Sequence, residues 1–147
     1  MAEIKNNVSL KHITKEEIYL NELNGKNDWY KICSEYELSE DIINEFLDKI
    51  KWSTICKYQI LSESFIEKYK NRVDWIIISK YQKLSEDFIR KYRNKVYWYN
   101  ISKYQKLSES LIEQFEDNVS WNLIFRYQDL SEEFKNKHKY KKFFANF

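Results

Sequence analysis

Two thiols and two imidazoles are the side chains of this chain that could hold a metal ion or form a disulfide: Cys33, Cys56, His12 and His138. A structural zinc site needs four convergent ligands, and the two histidines lie near opposite ends of the 147 residues. The cysteines occupy equivalent positions in neighbouring repeats, which predicts a separation of about 10 Å, beyond the reach of a disulfide. We expect two free, buried cysteines, no metal and no cofactor.

Recurring serine–glutamate pairs are the other arrangement that could suggest catalysis, since a carboxylate beside a hydroxyl can act as a base. Each pair precedes an apolar run. There the serine would cap the N-terminus of a helix, and the negative charge of the glutamate would stabilise the positive end of the helix dipole. The chain has one glycine, so it lacks a glycine-rich phosphate loop. The sequence therefore predicts that the protein is not an enzyme.

The spacing of the tryptophans shows how these residues are positioned, because the five of them follow one another at intervals of 23 residues, at 29, 52, 75, 98 and 121. Around each one the same pattern returns: Leu-Ser-Glu, an apolar pair, an aromatic residue, Val or Ile, then Trp, Ile and Tyr-Gln. Identity at a fixed period indicates a repeat architecture in which stacked units bury a continuous core. We expect the tryptophans to form the spine of that core.

Each repeat reads as two helices. In the third repeat, Ser85 is a candidate N-cap, and Phe88, Ile89, Tyr92 and Val96 have the spacing of one helical face. The apolar pattern then changes phase at Trp98, which indicates a second segment of about two turns. The predicted fold is all-α, an α-solenoid of stacked 23-residue repeats, each with a long helix followed by a short one.

A single helical-repeat domain is expected over residues 1–147. It is divided into an N-terminal capping unit, four repeats and a C-terminal cap, at 1–37, 38–60, 61–83, 84–106, 107–129 and 130–147. In the first unit, Thr14 and Glu17 predict a capping box and Gly25 a helix end. Glu35 and Tyr36 replace the Tyr-Gln pair there, so a different helix end is expected. Lys135 and His138 replace apolar residues, which predicts a polar last helix.

The composition limits which partners and which cellular location are expected. A net charge of +2 gives no general argument for nucleic acid or an anionic membrane. No apolar run approaches the roughly 18 residues of a membrane span, and the N-terminus does not resemble a signal peptide. We expect a cytoplasmic protein without a membrane contact, with a monomer favoured.

Lys-Tyr-Gln triplets recur at 57–59, 80–82 and 103–105, with Arg-Tyr-Gln at 126–128. They could present evenly spaced polar groups to a ligand. The favoured interpretation is structural: the glutamine satisfies carbonyls at a helix end while the tyrosine packs under the next leucine.

Positions that differ between repeats are better guides to a binding surface, because packing does not dictate them. The third repeat has six basic residues against two acidic ones, and the fourth has one basic residue against five acidic ones. This predicts a surface that is dipolar along the array, which favours a protein partner of complementary charge. The candidate partner-binding residues are Arg90, Arg93, Lys95, Tyr97, Tyr99 and Asn100, with Ile76 and Ile77 as an apolar anchor.

The unit Leu-Ser-Glu-Asp-Phe-Ile, Trp, Ile-Ser-Lys-Tyr-Gln at 84–105 closely resembles short helical repeats of large DNA viruses and phages. Its architecture is also topologically similar to leucine-rich repeat variant solenoids. The resemblance implies a non-catalytic interaction module that binds a host or viral protein, and in a phage setting an inhibitor of a host defence complex such as a CRISPR nuclease.

Two alternatives to protein binding remain open from the residues. One is nucleic-acid binding by the basic third repeat. The other is a self-associating structural array, in which Phe143, Phe144 and Phe147 of the tail dock on a second copy.

Overall fold

The protein is described by a computed structural model that covers residues 11–26 and 28–141. The tail phenylalanines Phe143, Phe144 and Phe147 lie outside these described residues. Within them, eleven helices follow one another, with one pair of two-residue strands near the N-terminus. The elements are β1 (Lys11–His12), α1 (Lys15–Leu23), α2 (Trp29–Glu35), β2 (Tyr36–Glu37), α3 (Glu40–Glu45), α4 (Trp52–Tyr58), α5 (Glu63–Lys68), α6 (Trp75–Tyr81), α7 (Glu86–Lys91), α8 (Trp98–Tyr104), α9 (Glu109–Gln114), α10 (Trp121–Tyr127) and α11 (Glu132–Lys137).

The helices form two rows, which confirms the predicted all-α solenoid with its period of 23 residues. We call α1, α3, α5, α7, α9 and α11 the first helices, and α2, α4, α6, α8 and α10 the second helices. Neighbouring second helices pack directly against each other and approach more closely than neighbouring first helices do. The row of second helices is thus the tighter side of the stack.

The first helices begin as the sequence predicts. Ser85 has an extended backbone, and its hydroxyl accepts a hydrogen bond from the backbone N–H of Phe88. Equivalent serines cap the other first helices from α3 onward. In α1 the cap is the predicted box, with reciprocal hydrogen bonds between Thr14 and Glu17. Gly25 follows the end of that helix with φ +62°, a conformation that glycine adopts without steric cost.

The expectation of a long helix followed by a short one is wrong from α3 onward, because the first helices there have six residues and the second helices have seven. In the third repeat, α7 ends at Lys91, and Tyr92 leaves helical geometry with φ −107° and ψ 25°. The N–H groups of Lys95 and Val96 both donate to the Tyr92 carbonyl, which closes a compact turn. This turn buries Val96. A short helix followed by a turn therefore buries the same apolar residues that one long helix would bury.

The core axis consists of isoleucines, not of the tryptophans that the sequence analysis placed there. Ile55, Ile78, Ile101 and Ile124 of the second helices are fully buried, as are Ile43, Ile66, Ile89 and Ile112 of the first helices. Four of the five tryptophans are half-buried at the border of this core, and Trp121 is buried. Each tryptophan instead contacts the aromatic ring that follows the next first helix, as Trp75 contacts Tyr92 at 5.0 Å.

The two ends depart from the repeat in different ways. The expected different end of the second helix in the first unit is wrong, because α2 also has seven residues and an extended C-cap, Tyr36, whose N–H donates to the Ile32 carbonyl. The difference comes after the helix, where Tyr36 and Glu37 pair in parallel with Lys11 and His12. At the other end, the polar cap is only partly correct. His138 is buried and stacks on Trp121 at 4.9 Å, because an imidazole ring can occupy an aromatic position. Lys135 is half-buried and pairs with Glu132.

Candidate protein-binding face

Three of the predicted contact residues are exposed apolar or aromatic side chains on, or directly before, the second helices α6 and α8. The exposed fractions are 57% for Ile76, 47% for Tyr97 and 50% for Tyr99. The rings of Tyr97 and Tyr99 lie 6.2 Å apart, one before α8 and one in its first turn. Ile76 occupies the position in α6 that Tyr99 occupies in α8. We call Ile76, Tyr97 and Tyr99 the apolar cluster.

Hydrogen bonds between α6 and the start of α8 fix the backbone beneath the apolar cluster. Ser79 donates its hydroxyl hydrogen to the Trp75 carbonyl at 2.6 Å, and its oxygen accepts the Tyr97 backbone N–H at 2.9 Å. This hydroxyl therefore ties the start of α8 to α6. Ser102 makes the same two contacts one repeat later. These serines were not predicted, although their place in the cysteine position of the repeat marked them as small buried residues.

Asn100 and Ile77 lie beneath the surface rather than on it. Asn100 is buried, and its amide donates to the Ile76 carbonyl at 2.9 Å. Ile77 is half-buried against the core. Because the Asn100 amide is buried and already hydrogen-bonded, it is not exposed to a partner protein. Asn100 therefore stabilises the position of the apolar cluster from beneath.

The predicted basic contacts lie away from the second helices. Arg90 belongs to the first helix α7, where it pairs with Glu86 at 3.0 Å and Asp87 at 3.1 Å. Its Nε also donates to Gln114 of the next repeat. Arg93 and Lys95 are exposed in the turn that separates α7 from α8. The predicted contact residues therefore do not form one surface. The apolar cluster lies at the second helices, whereas Arg90 lies on a first helix and Arg93 and Lys95 lie in the turn after it.

The second-helix side of the solenoid is more basic than the first-helix side, in addition to the difference in charge between the third and fourth repeats. Contacts between repeats neutralise much of the charge on the first helices. Lys91 pairs with Glu67 at 2.5 Å, and Lys137 pairs with Glu113 at 2.7 Å. In contrast, α4, α6, α8 and α10 hold no acidic residue and one cation each. The second-helix face is therefore the basic side.

The glutamines of the Lys-Tyr-Gln triplets are structural, as favoured from the sequence. Gln82 is buried, and its amide donates to the carbonyls of Cys56 and Gln59 at 2.8 Å each. Its side-chain oxygen accepts the Leu61 N–H at 3.0 Å. Gln59, Gln105 and Gln128 make the three equivalent contacts, two of them to carbonyls of the preceding repeat.

The lysines and tyrosines of the triplets form a separate surface feature. The tyrosines do not take the predicted place under the leucine; each lies beside cations. Lys80 Nζ is 4.8 Å from the centroid of its own Tyr81 and 5.3 Å from that of Tyr104 in the next repeat. This pattern continues along the stack in a set that we call the lysine–tyrosine row: Lys57, Tyr58, Lys80, Tyr81, Lys103, Tyr104, Arg126 and Tyr127.

A second row of contacts escaped the sequence analysis, which assigned the glutamates to helix capping alone. Glu86 accepts the Ser108 N–H at 2.6 Å and the Ser108 hydroxyl at 3.0 Å. Burial disfavours its charged form, but these hydrogen bonds and Arg90 outweigh that effect and lower the pKa of Glu86. Glu40, Glu63 and Glu109 also accept the serine N–H of the next repeat. The signal was available, since glutamate recurs at this position while its neighbour varies.

The thiols are free and buried. Desolvation raises the pKa of Cys33 to about 12 and that of Cys56 to about 11, and a protonated thiol is a poor nucleophile and metal ligand. Across residues 11–26 and 28–141, no group of three or more His, Cys, Asp or Glu side chains could hold a metal ion. Within the same ranges, no helix is long and apolar enough to span a membrane.

No protein-family model, curated protein or solved structure matches this chain at a significant level. The architecture is therefore assigned from the identity of the repeats to one another and from the recurrence of the same contacts in each of them. On that evidence, the chain is an α-helical solenoid of 23-residue, two-helix repeats.

Proposed function

We propose that this protein is a non-catalytic module that binds another protein through the exposed face of its second helices. The observation that supports this function is the apolar cluster. Ile76, Tyr97 and Tyr99 are about half exposed, as are other apolar residues such as Tyr30 and Ile60. What distinguishes these three is their place at the junction of α6 and α8 in the middle of the array, which hydrogen bonds hold together. Exposed aromatic anchors on a rigid support are typical of the residues that contribute most to protein–protein affinity.

The support of the cluster strengthens the proposal. Ser79 and Asn100 join α6 to α8 by hydrogen bonds directly beneath it. A preformed surface loses little conformational entropy when a partner binds, so more of the contact energy appears as affinity.

A capture experiment with purified, tagged protein and lysate of the native host tests this function. The variant Ile76→Ser/Tyr99→Ala removes two anchors, and Leu23→Ala, at an 84% exposed residue of α1, is the matched control. We expect a defined protein that survives nuclease treatment, is retained by the control and is lost by the double variant. Equal recovery with both variants would remove the cluster as the binding site.

A finer proposal concerns the biological role. The repeat resembles those of large DNA viruses and phages, which supports a phage or viral source and a role as an inhibitor of a host defence complex such as a CRISPR nuclease. A plasmid-interference assay tests this role. Expression of the protein should let a targeted plasmid persist, and the Ile76→Ser/Tyr99→Ala variant should not. Unchanged plasmid loss in both cases would exclude this role while leaving protein binding intact.

Nucleic-acid binding is the second candidate function, because cations interleaved with tyrosines occur in proteins that bind single strands. It predicts that only nuclease-sensitive material is recovered in the capture experiment, and that affinity falls steeply as salt is raised.

A further inference from the structure

The cations at the C-terminal ends of the second helices differ in their partners from most cations of the first helices. Lys68 of α5 is an exception, since it lies over Tyr69 and has no ion pair among the described residues. Among the described residues, Lys91, Lys137 and Lys141 all form ion pairs with glutamates of the preceding repeat. No ion pair in the same part of the chain includes Lys57, Lys80, Lys103 or Arg126. These four lie over tyrosine rings instead, so their positive charge is not neutralised by a carboxylate.

The tyrosines hold these cations in place. Lys103 Nζ lies 5.1 Å from the centroid of Tyr104 and 5.3 Å from that of Tyr127. The Tyr104 oxygen is the main cause that raises the pKa of Lys103, so the lysine stays charged. A flexible lysine normally loses rotamer freedom when it pairs with a ligand. Here the two rings already restrict it, which lowers that cost.

We infer that the lysine–tyrosine row is a docking track for an extended acidic segment of the partner protein, lying along the array with one carboxylate at each repeat. This inference rests on the proposed protein-binding function and names the chemistry of the partner. A carboxylate beside each cation would form a charge-assisted hydrogen bond with the ammonium or guanidinium group and could accept another from a tyrosine hydroxyl.

The spacing of the row suits a peptide. Packed helices lie about 8–10 Å apart, so the row presents one cation at about that interval. A polyproline II segment has three residues per turn and rises about 3.1 Å per residue, which returns every third side chain to one side after about 9.3 Å. A segment of roughly ten residues with an acidic side chain at every third position would therefore reach all four cations.

A nucleic-acid strand fits the same surface less well. Each ring of the row has a cation within about 6 Å, where bases would otherwise stack. The charge density is also low, with one cation per repeat on this face, whereas duplex DNA has one negative charge per about 1.7 Å. The neighbouring apolar cluster includes Ile76, and a phosphate backbone has no apolar group that could contact this side chain. A peptide can supply such groups, because apolar side chains can flank its acidic segment.

The test uses the full chain and a synthetic fluorescent peptide of twelve residues, Glu-Ala-Pro repeated four times, with binding followed by fluorescence anisotropy. A peptide of the same composition with its four glutamates consecutive tests the spacing, and oligo(dT) of twelve nucleotides tests the rival ligand. The row variant is Lys80→Gln/Lys103→Gln. The control is Lys83→Gln/Lys106→Gln, which removes the same charge from exposed residues of the same two repeats.

We expect the evenly spaced peptide to bind more tightly than the clustered one. The row variant should weaken it about tenfold, the effect of losing two exposed ion pairs, while the control variant stays within about twofold of the parent protein. Circular dichroism and thermal unfolding should show that both variants remain folded. Equal weakening in both variants, no preference for the spaced peptide, or row-dependent binding of oligo(dT) alone would overturn the inference.

The outcome is separable from that of the proposed function. If the captured partner is lost with Ile76→Ser/Tyr99→Ala but retained at the parent level with Lys80→Gln/Lys103→Gln, the protein-binding function holds and the acidic track fails. If no protein is captured but the spaced peptide binds through Lys80 and Lys103, the track holds and the apolar cluster is not the anchor.

Discussion

The side-chain amide of Gln82 donates a hydrogen bond of 2.8 Å to the backbone carbonyl of Gln59, the residue that occupies the same position one repeat earlier. Because Gln59 in turn bonds to Cys33 and Tyr36, the glutamines connect successive repeats in one continuous series. Each glutamine is both the polar link to the preceding repeat and a backbone acceptor for the next. Such nearest-neighbour links are what give repeat proteins their one-dimensional stability.

Replacing Gln82 with methionine should destabilise the protein by about 3 kcal/mol, because two buried carbonyls and one N–H lose their partners. Gln128→Met is the matched control, since it removes the same three contacts at a half-buried residue, where water has more access to the substituted side chain. We expect the control to cost about 1 kcal/mol, measured by urea unfolding. Equal costs at the two positions would contradict the role of burial.

Two tryptophans at equivalent positions should respond differently to substitution by phenylalanine. Trp75 Nε1 donates to the Lys70 carbonyl at 2.9 Å, whereas Trp52 Nε1 is buried without a partner among the described residues. Trp75→Phe should therefore cost about 1 kcal/mol more than Trp52→Phe, which removes an unsatisfied donor. Thermal unfolding measures the difference, and a larger loss for Trp52→Phe would refute it.

His138 should be replaceable by phenylalanine without loss of stability. It occupies the position of Phe46, Tyr69, Tyr92 and Phe115 in earlier repeats, and its ring stacks on Trp121 and contacts Phe134 at 4.5 Å. His138→Ala should cost about 2 kcal/mol through the loss of these ring contacts. His138 Nε2 also lies 3.1 Å from Glu113 Oε1. A melting temperature that falls as far in His138→Phe as in His138→Ala would show that this polar contact matters more than the ring.

Acid should weaken the links made by Glu86. Its pKa is lowered in the folded state, so its stabilising contribution is complete above the pKa of the unfolded chain and is lost as pH falls through the lowered folded value. Glu86→Gln should be less stable than the parent protein at pH 7, and the difference should narrow at acidic pH.

Glu132→Gln is the control for Glu86. This glutamate has the same position in the last repeat, but its carboxylate pairs with Lys135 of its own helix. Urea unfolding at several pH values should give a smaller difference for Glu132→Gln at pH 7. A difference for Glu86→Gln that stays constant with pH would count against the assignment.

The two native thiols should not react with a disulfide reagent such as DTNB until the protein unfolds. Burial raises the pKa of Cys33 to about 12 and that of Cys56 to about 11, so neither thiolate nor access is available at neutral pH. Ser53→Cys, at an exposed residue of α4, provides a reactive control in the same helix as Cys56. Rapid modification of Cys56 in the folded protein would show that α4 opens locally.

Local signals in the sequence predicted the fold well, and contacts between repeats explain what was missed. Ser85 and Thr14 were identified as caps because capping joins residues three apart. The length of α7 could not be read from Val96, since a turn buries that residue as well as a helix would. The hydrogen bonds that Ser108 donates to Glu86 and Tyr97 donates to Ser79 join residues 22 and 18 apart, so the pattern within a single repeat does not reveal them.

The candidate site shows the same division. Exposure of Tyr97, Tyr99 and Ile76 followed from their variability between repeats. Burial of Asn100 did not follow, because a position that varies between repeats can also be one that is committed to a hydrogen bond with the preceding repeat, as Asn100 is with the Ile76 carbonyl. The sequence offered the Lys-Tyr-Gln triplets as an evenly spaced polar surface but favoured a structural role, because constancy is expected of residues that pack. In the structure that role belongs to the glutamine, which is buried in Gln59, Gln82 and Gln105, while the lysine and tyrosine are at least partly exposed.

The glutamine links also imply that the length of this protein can change in whole steps. Each link reaches only the adjacent repeat, so a deletion of residues 61–83 would bring Gln105 onto the carbonyls of Cys56 and Gln59 that Gln82 now occupies. Loss or gain of one 23-residue repeat in register would leave the remaining links intact. A shorter or longer relative would then retain its caps and its core while the number of cations along the row rises or falls by one at each step.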